Sequence, residues 1–387
     1  MAKHAVLSSG THLWRSLACA KSELRLDLTL ACGQSFRWRE TAEGHWTGVM
    51  RGRVWTLTQT DDTLWYHVYD ERKCGTRKRT GDSSEQKLKE FVKEEEDGEE
   101  EEQLRDYFQL NVKLETLYTE WGAADPHFKK IANIFTGVRL LRQEPTECLF
   151  SFICTSNNHI SRITGMVERL CQALGAPLDQ LDRTTYYDFP SLSALADGSV
   201  ETRLRDLGFG YRAQFLQQSA KKILDSYGTQ WLEGLRNVPY LEAHDALRTL
   251  PGVGTKVADC VCLMSLDKAE AVPVDTHVWQ IAKRDYQFAS SGRQKSITDK
   301  LHRDIGHFFR NLWGPYAGWT QSVLFCADLK KFQQLKETQS VEQPRNQEER
   351  VEEESDAAKS ESKERSKPKK SNLCSEKTTT YVKKRRM

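Results

Sequence analysis

Leu250-Pro-Gly-Val-Gly-Thr-Lys-Val-Ala-Asp-Cys-Val-Cys-Leu-Met264 is the stretch that decides the fold. An amphipathic run, Tyr240 to Leu250, precedes it, and the apolar residues after Lys256 predict a second helix. Gly252 and Gly254 permit a tight turn that exposes backbone N–H groups beside the positive end of this second helix. Such a helix-hairpin-helix binds a phosphate oxygen without reading base sequence, so the stretch predicts DNA binding. A plain Gly-rich turn between two packed helices is the alternative.

Two side chains near the hairpin suit the cleavage of an N-glycosidic bond. Lys256 stands in the first turn of the second helix, where a cation is disfavoured and the neutral, nucleophilic amine is favoured. Asp275 follows Val272-Pro-Val and precedes a helical pattern, so it is predicted to be an N-cap. A carboxylate near such an amine can also stabilise positive charge that develops on a sugar. The alternatives are a phosphate contact for the lysine and capping alone for the aspartate.

The composition indicates a folded protein whose charge is separated along the chain. Of 387 residues, 38% are hydrophobic, and ten Trp, twelve Tyr and fifteen Phe can fill packed cores, which excludes wholesale disorder. Eight acids stand between Glu94 and Glu102. Because they contribute −8 to a net charge of +2, the remaining chain carries +10, which is compatible with a polyanionic partner. We expect the acidic block itself to repel DNA weakly.

Several classes of protein and cofactor are not expected. No apolar run approaches the roughly 20 residues that a membrane-spanning helix needs. The ten cysteines, without a secretory signal, are typical of reduced thiols inside the cell. None forms a Cys-x-x-Cys pair, and Cys260 and Cys262 have poor zinc spacing, so we expect no structural metal site. A monovalent or calcium ion held by the hairpin carbonyls is the alternative that stays open. The absence of Walker and Rossmann fingerprints predicts no nucleotide cofactor.

Hydrophobic periodicity divides the chain into a sheet part and a helical part. Alternation from His45 to Tyr69 predicts an antiparallel meander, and spacings of three and four from Leu104 to about Lys336 predict helices. We therefore predict an α+β protein with an N-terminal antiparallel sheet domain, a mostly helical domain that contains the hairpin, and a disordered charged tail. The predicted ranges are 1–130 for the sheet domain, 72–103 for a disordered acidic insertion within it, 131–336 for the helical domain and 337–387 for the tail.

The two ends of the chain carry targeting signals of different strength. Lys367-Pro-Lys-Lys and Lys383-Lys-Arg-Arg in the tail are basic clusters that suit nuclear import. Simple solvation of the tail is the alternative reading of these clusters. Met1 to Ala20 contains Lys3 and Arg15 and no acid, which leaves a mitochondrial location open as well.

Three motifs together resemble the eukaryotic 8-oxoguanine DNA glycosylases: Leu250 to Met264, Val272-Pro-Val-Asp275, and Gly318-Trp-Thr-Gln-Ser-Val-Leu-Phe325. These enzymes belong to the helix-hairpin-helix superfamily with a Gly/Pro-rich loop followed by Asp, and the likeness covers roughly Leu13 to Leu335. It implies a monomeric enzyme without a cofactor that acts on double-stranded DNA. Such an enzyme excises 8-oxoguanine paired with cytosine and nicks the abasic strand by β-elimination. The resemblance assigns Lys256 as nucleophile and Schiff-base former, and Asp275 as the essential carboxylate.

The resemblance also implies a pocket for a flipped-out base. The carbonyl of Gly33, in Cys32-Gly-Gln-Ser-Phe, would accept the N7 hydrogen that 8-oxoguanine has and guanine lacks. Gln321 would read the Watson–Crick edge, and Phe325 and Cys260 would sandwich the ring. Cys260 lies four residues after Lys256, so a thiolate–ammonium pair is geometrically possible. A core thiol is the alternative for this cysteine.

A second set of residues implied by the resemblance faces the opposite strand. Tyr211 would wedge into the gap, while Asn157, Arg162 and Arg212 would donate hydrogen bonds to the orphaned cytosine. His277 would touch a phosphate, or would simply pack. Gly252 and Gly254 of the hairpin complete the DNA-binding set. The alternatives for the wedge region are a helix-ending loop with a surface arginine and an asparagine that caps a helix.

Two other functions remain to be weighed. Glycosylases of the endonuclease III type or the mismatched-adenine type usually carry a four-Cys iron–sulfur signature, but after Cys262 only Cys326 and Cys374 remain. A non-catalytic DNA clamp could use the same hairpin. It would not need Lys256, Asp275 and the Cys32 loop together.

Overall fold

An antiparallel sheet of five strands occupies the N-terminal part of this computed structural model, which describes residues 2–69, 98–289 and 296–337. The strand order is β1-β5-β4-β3-β2. The strands are β1 (Arg15–Ala18), β2 (Trp38–Ala42), β3 (His45–Met50), β4 (Arg53–Gln59) and β5 (Thr63–Tyr69). Strands β3, β4 and β5 form the predicted meander, which is confirmed. Arg51 and Gly52 turn the chain between β3 and β4 with φ of +52° and +69°, the backbone that a two-residue hairpin requires.

The chain is mostly helical after the sheet and has one short helix between β1 and β2, so the predicted α+β class is confirmed. Its helices are α1 (Leu26–Thr29), α2 (98–107), α3 (Leu114–Ala124), α4 (Pro126–Ala132), α5 (Pro145–Ile153), α6 (Ile160–Leu174), α7 (Leu192–Ala196), α8 (Val200–Asp206), α9 (Arg212–Ser226), α10 (Trp231–Gly234), α11 (Tyr240–Arg248), α12 (Thr255–Ser265), α13 (Thr276–Tyr286), α14 (Asp299–Trp313) and α15 (Ala317–Asp328). The predicted domain boundary after residue 130 falls inside α4. Among the residues that the structure describes, no helix is both long and apolar enough to cross a membrane.

The predicted acidic insertion, 72–103, is wrong over its last six residues. Residues 98–107 form α2, and Leu104, Tyr107 and Phe108 pack into the tryptophan-rich core on one face of the sheet. Glu100 is buried and forms ion pairs with Arg15 and Arg53. Charge alone therefore misleads here, because two arginines of the sheet compensate a buried carboxylate. The rest of the insertion, 72–97, lies outside the described residues, as does the tail beyond residue 337.

A short hairpin inside the helical part covers the other face of the sheet. Strands β6 (Pro177–Leu181) and β7 (Thr184–Tyr187) interrupt a region that the sequence predicts to be helical almost throughout. Leu181 packs against Val49 and Val54 of the sheet and forms a backbone bridge to Ala2. The sheet therefore contacts the helical part on both faces.

Candidate active site

The predicted hairpin is present between α11 and α12. Gly252 has a φ of +78°, which only glycine adopts without strain, and Gly254 is the N-cap residue of α12. Within the described part of the chain, no side chain caps this helix start. Since the first N–H groups of an α-helix have no intrahelical partner, these groups are available to an anion.

A cavity of about 630 Å³ opens between α12, α13, α15 and the loop after α1. A cavity of this size can hold a small ligand such as a nucleobase. It brings together the predicted catalytic and base-pocket residues, which are distant in sequence. Its lining includes Gly33, Lys256, Cys260, Asp275, His277, Gln321 and Phe325.

Lys256 lies in the first turn of α12 and is only partly buried. Its Nζ donates to Thr155 Oγ1 at 3.1 Å and stands 5.3 Å from the centre of the Phe152 ring. Among the described residues, no carboxylate forms an ion pair with it. The sequence did not predict Thr155 and Phe152 as site residues. They stand at the C-terminal end of α5, and no local pattern there indicates that this end lines a cavity. The two residues hold the amine against this wall of the cavity.

Burial favours the neutral form of the Cys260 thiol. It is buried at 2% exposure one turn after Lys256. Burial raises the pKa of the Cys260 thiol to about 11, and the nearby Lys256 offsets this only in part. Burial disfavours the thiolate–ammonium pair that the spacing makes possible, whereas the nearby Lys256 favours it, so the pair stays a prediction.

Asp275 is the N-cap of α13, as predicted. Its Oδ1 accepts a hydrogen bond from the Val278 N–H at 3.0 Å, and its half-buried carboxylate lines the cavity. His277 is exposed two residues later; its ring meets Phe325 edge-on at 5.7 Å, and its Nδ1 is 3.1 Å from Asp328 Oδ2. Burial alone would raise the pKa of the Asp328 carboxyl, but hydrogen bonds from His277 and from a neighbouring arginine lower it.

Gly33 belongs to a tightly held loop. Its φ is +83°, and a Cβ at this position would lie 2.9 Å from Cδ1 of Ile160. The side chain of Gln34 anchors the loop, because its amide donates to the Arg139 carbonyl at 2.7 Å and accepts from the Leu141 N–H at 3.0 Å. The Gly33 backbone is thus fixed at the cavity wall.

Gln321 and Phe325 lie four residues apart on α15 and therefore share one face of that helix. Gln321 is buried, whereas Phe325 is partly exposed towards the cavity. An amide and an aromatic ring are the groups that read and stack a base.

A second cluster lies around Ser156. Asn157 has a φ of +49°, a backbone that Asn tolerates better than most residues. The Tyr211 hydroxyl donates to the Ser156 carbonyl at 3.2 Å, and the buried Arg212 guanidinium donates to the same carbonyl and stacks 4.6 Å from the Tyr211 ring. The Tyr211 side chain is 48% exposed. Arg162 is exposed in the first turn of α6. Among the described residues, no hydrogen bond or ion pair joins its side chain to Asn157, Tyr211 or Arg212.

Comparison with known protein families gives two matches that together span most of the chain. One, described as 8-oxoguanine DNA glycosylase, N-terminal domain, covers residues 16–149. The other, described as HhH-GPD superfamily base excision DNA repair protein, covers residues 150–305.

Individual relatives give the same result. N-glycosylase/DNA lyase OGG1 of Arabidopsis thaliana is 37% identical over 89% of this chain and 87% of its own. N-glycosylase/DNA lyase of Saccharomyces cerevisiae is 34% identical over 84% and 92%. The structure of Clostridium acetobutylicum 8-oxoguanine glycosylase/lyase in complex with DNA containing cytosine opposite 8-oxoG matches with 26% identity, a TM-score of 0.63 and coverage of 79% and 91%. A structure of MBOgg1 in complex with a low affinity DNA ligand matches with 27% identity, a TM-score of 0.66 and coverage of 81% and 94%.

Proposed function

The chain belongs to the family of 8-oxoguanine DNA glycosylases with DNA lyase activity, and we propose that its substrate is 8-oxoguanine paired with cytosine in duplex DNA. The observation that carries the proposal is one cavity, large enough for a nucleobase, whose lining includes a lysine, a carboxylate, an amide and an aromatic ring. The cavity lies at α12, the second helix of the helix-hairpin-helix. Because one chain supplies every wall of this cavity, we propose that the enzyme acts as a monomer. Light scattering of the full chain should then give a mass near 44.5 kDa.

In the proposed reaction, Lys256 attacks C1′ of the flipped-out nucleotide. The N-glycosidic bond breaks, its electron pair leaves with the base, and Asp275 stabilises the positive charge that develops on the sugar. Opening of the sugar ring transfers a proton to O4′ and leaves a Schiff base between C1′ and Nζ. Loss of a C2′ proton then expels the 3′-phosphate by β-elimination. Thr155 holds the amine at the cavity wall before the attack.

Recognition of the lesion would depend on the Gly33 carbonyl. The N7 hydrogen of 8-oxoguanine can donate to this carbonyl, whereas guanine N7 has only a lone pair and would leave both acceptors unpaired. An unsatisfied buried polar group costs about 1–3 kcal/mol, which is a discrimination of about fivefold to 150-fold. Gln321 would pair with the Watson–Crick edge, and Phe325 and the Cys260 side chain would contact the two faces of the ring.

Recognition of the opposite cytosine would use the cluster around Ser156. Tyr211 would fill the gap left by the flipped base, and Asn157, Arg162 and Arg212 would donate to the cytosine. Arg162→Ala is the cleaner test, because Arg162 is exposed whereas Arg212 is buried and supports the Ser156 loop. The variant should narrow the preference for lesion:C over lesion:A, and an unchanged preference would remove Arg162 from this role.

Trapping with borohydride tests the covalent step. With an 8-oxoguanine:C duplex, the wild type should form a reduced protein–DNA adduct. Lys256→Gln should lose both adduct and excision while still binding lesion DNA, since the hairpin remains intact. Lys331→Gln is the matched control, because Lys331 also lines the cavity and should keep the adduct. An undiminished adduct in Lys256→Gln would show that another residue is the nucleophile. A wild type that forms no adduct and excises no oxidised purine would indicate a non-catalytic DNA clamp.

We also propose that the basic clusters of the tail direct the protein to the nucleus. The support is their composition, Lys367-Pro-Lys-Lys and Lys383-Lys-Arg-Arg. Removal of everything after Glu337 should abolish nuclear accumulation of a fluorescent fusion and leave excision within about tenfold. A mitochondrial form would have to retain Arg15–Ala18, because this segment is β1 at the edge of the sheet. N-terminal sequencing of the mitochondrial fraction tests this.

A further inference from the structure

One face of α9 connects the exposed Tyr211 to the hairpin. Tyr211, Phe215, Ser219 and Lys222 follow one another at spacings of four, four and three, so they form a single stripe along the helix. We call these four residues the α9 stripe. All four make contacts that involve either the predicted wedge or the hairpin.

At its N-terminal end the stripe contacts the wedge. The Phe215 ring meets the Tyr211 ring edge-on, with the ring centres 5.8 Å apart and the planes at 71°. The Tyr211 hydroxyl is held from the other side by the Ser156 carbonyl. An exposed tyrosine would otherwise populate several rotamers, so these two contacts fix the direction in which its ring points.

At its other end the same stripe contacts the hairpin. Phe215 lies so close to Gly252 that a Cβ on this glycine would stand 2.6 Å from the phenylalanine ring. Ser219 Oγ donates to the Pro251 carbonyl at 2.8 Å, and Lys222 Nζ donates to the Thr249 carbonyl at 2.6 Å. The hairpin therefore rests on α9, and Phe215 touches both the hairpin and the wedge.

We propose that Phe215 is a positioning residue that couples the Tyr211 wedge to the phosphate-binding hairpin. When the hairpin binds the DNA backbone, the hairpin, Phe215 and Tyr211 then move towards the base pair as one rigid body. The inference rests on the proposed function, since it assumes that Tyr211 enters DNA. A purely structural Phe215 would stabilise α9 without any special relation to Tyr211, and this difference can be measured.

The first experiment separates base flipping from DNA binding in the full chain. Phe215→Leu keeps apolar packing but removes the ring, and Gln218→Ala, at an exposed position on α9, is the matched control. Base flipping is followed by stopped-flow fluorescence of 2-aminopurine placed beside the lesion. Because an edge-on aromatic pair contributes about 0.5–1.5 kcal/mol, flipping should slow about two- to tenfold in Phe215→Leu and not in the control. The Kd for undamaged duplex should stay within about twofold.

The second experiment asks whether Phe215 acts through Tyr211. In a Tyr211→Ala background, Phe215→Leu should cause no further slowing, whereas a structural effect would slow flipping by the same factor in both backgrounds. Phe215→Tyr, which keeps the ring, should restore flipping to within about twofold of the wild type.

The coupling is overturned if Phe215→Leu slows flipping by the same factor with and without Tyr211, or if a folded Phe215→Leu flips the base as fast as the wild type. Neither result would affect the proposed function. Should Phe215→Leu unfold below the assay temperature, the comparison of Phe215→Tyr with Phe215→Trp at the same position decides. Ring coupling predicts that any difference in flipping rate between these two variants disappears in a Tyr211→Ala background, whereas a difference of the same factor in both backgrounds overturns it. A wild type that neither flips nor excises the lesion overturns the proposed function itself.

Discussion

Replacing Asp275 by Asn separates the two roles that this side chain combines. As N-cap of α13 it accepts the Val278 N–H at 3.0 Å, and in the proposed reaction it is the cavity carboxylate that stabilises positive charge on the sugar. Asn is as good an N-cap as Asp, so the hydrogen bond can persist. Loss of the charge beside a helix N-terminus costs about 0.3–1 kcal/mol, which corresponds to a fall in Tm of at most about 4 °C. Removal of one preorganised electrostatic group from the reaction centre costs about 10²–10³ in rate.

The assay is single-turnover excision of 8-oxoguanine from a duplex at saturating enzyme, with thermal unfolding measured on the same preparations. Asp275→Asn should lose about 10²–10³ in excision rate while its Tm changes by only a few degrees. Asp275→Ala should lose the cap as well and fall further in stability, by about 1 kcal/mol. Binding to lesion DNA should be largely kept in the Asn variant, because the hairpin is untouched.

Two outcomes would refute this reasoning. Excision by Asp275→Asn at the wild-type rate would show that the charge is not used and that capping is the only role of Asp275. A loss of stability in Asp275→Asn as large as in Asp275→Ala would show that the slower rate reflects a damaged helix start.

Three further predictions concern other parts of the molecule. Gly33→Ala should strain a backbone at φ +83° by about 1–2 kcal/mol and displace Ile160. Excision of 8-oxoguanine should therefore fall, while nicking of DNA that already contains an abasic site should persist. Equal loss of both activities would contradict a role of Gly33 in base recognition. Glu100→Ala should lower the free energy of unfolding in urea by about 3 kcal/mol, because two arginines lose their buried partner, and a change below about 0.5 kcal/mol would make the ion pairs irrelevant. Burial raises the pKa of Glu147 from 4.5 to about 7, so the folded state binds the carboxyl proton more tightly than the unfolded chain does. The protonated carboxyl therefore contributes fully to stability below about pH 4.5, and this contribution is lost as the pH rises through about 7. Glu147→Gln should therefore flatten the decline of unfolding free energy between about pH 5 and 7, and an unchanged slope would assign the decline to another group.

The features that the sequence determined by itself are those fixed by residues a few positions apart. The hairpin follows from Pro-Gly-Val-Gly, since the positive φ of Gly252 excludes most other residues. The capping role of Asp275 follows from its place before a helical pattern, because an N-cap bond spans only three residues. The meander from His45 to Tyr69 follows from alternation and turn residues. Motif resemblance then indicated the family.

What only the tertiary structure decided depends on contacts between distant segments. The acidic run suggested a solvated loop, yet Glu100 is buried, because its two arginine partners lie on strands far away in sequence. Strands β6 and β7 carry weak patterns of their own and are stabilised by packing under the sheet. Spacing placed Cys260 beside Lys256 but could not show that the thiol is buried there, and this burial raises its pKa. Phe215 reads as an ordinary helix residue in sequence; only the packing of α9 places it between Tyr211 and Gly252, because side-chain contacts across elements are not encoded in local periodicity.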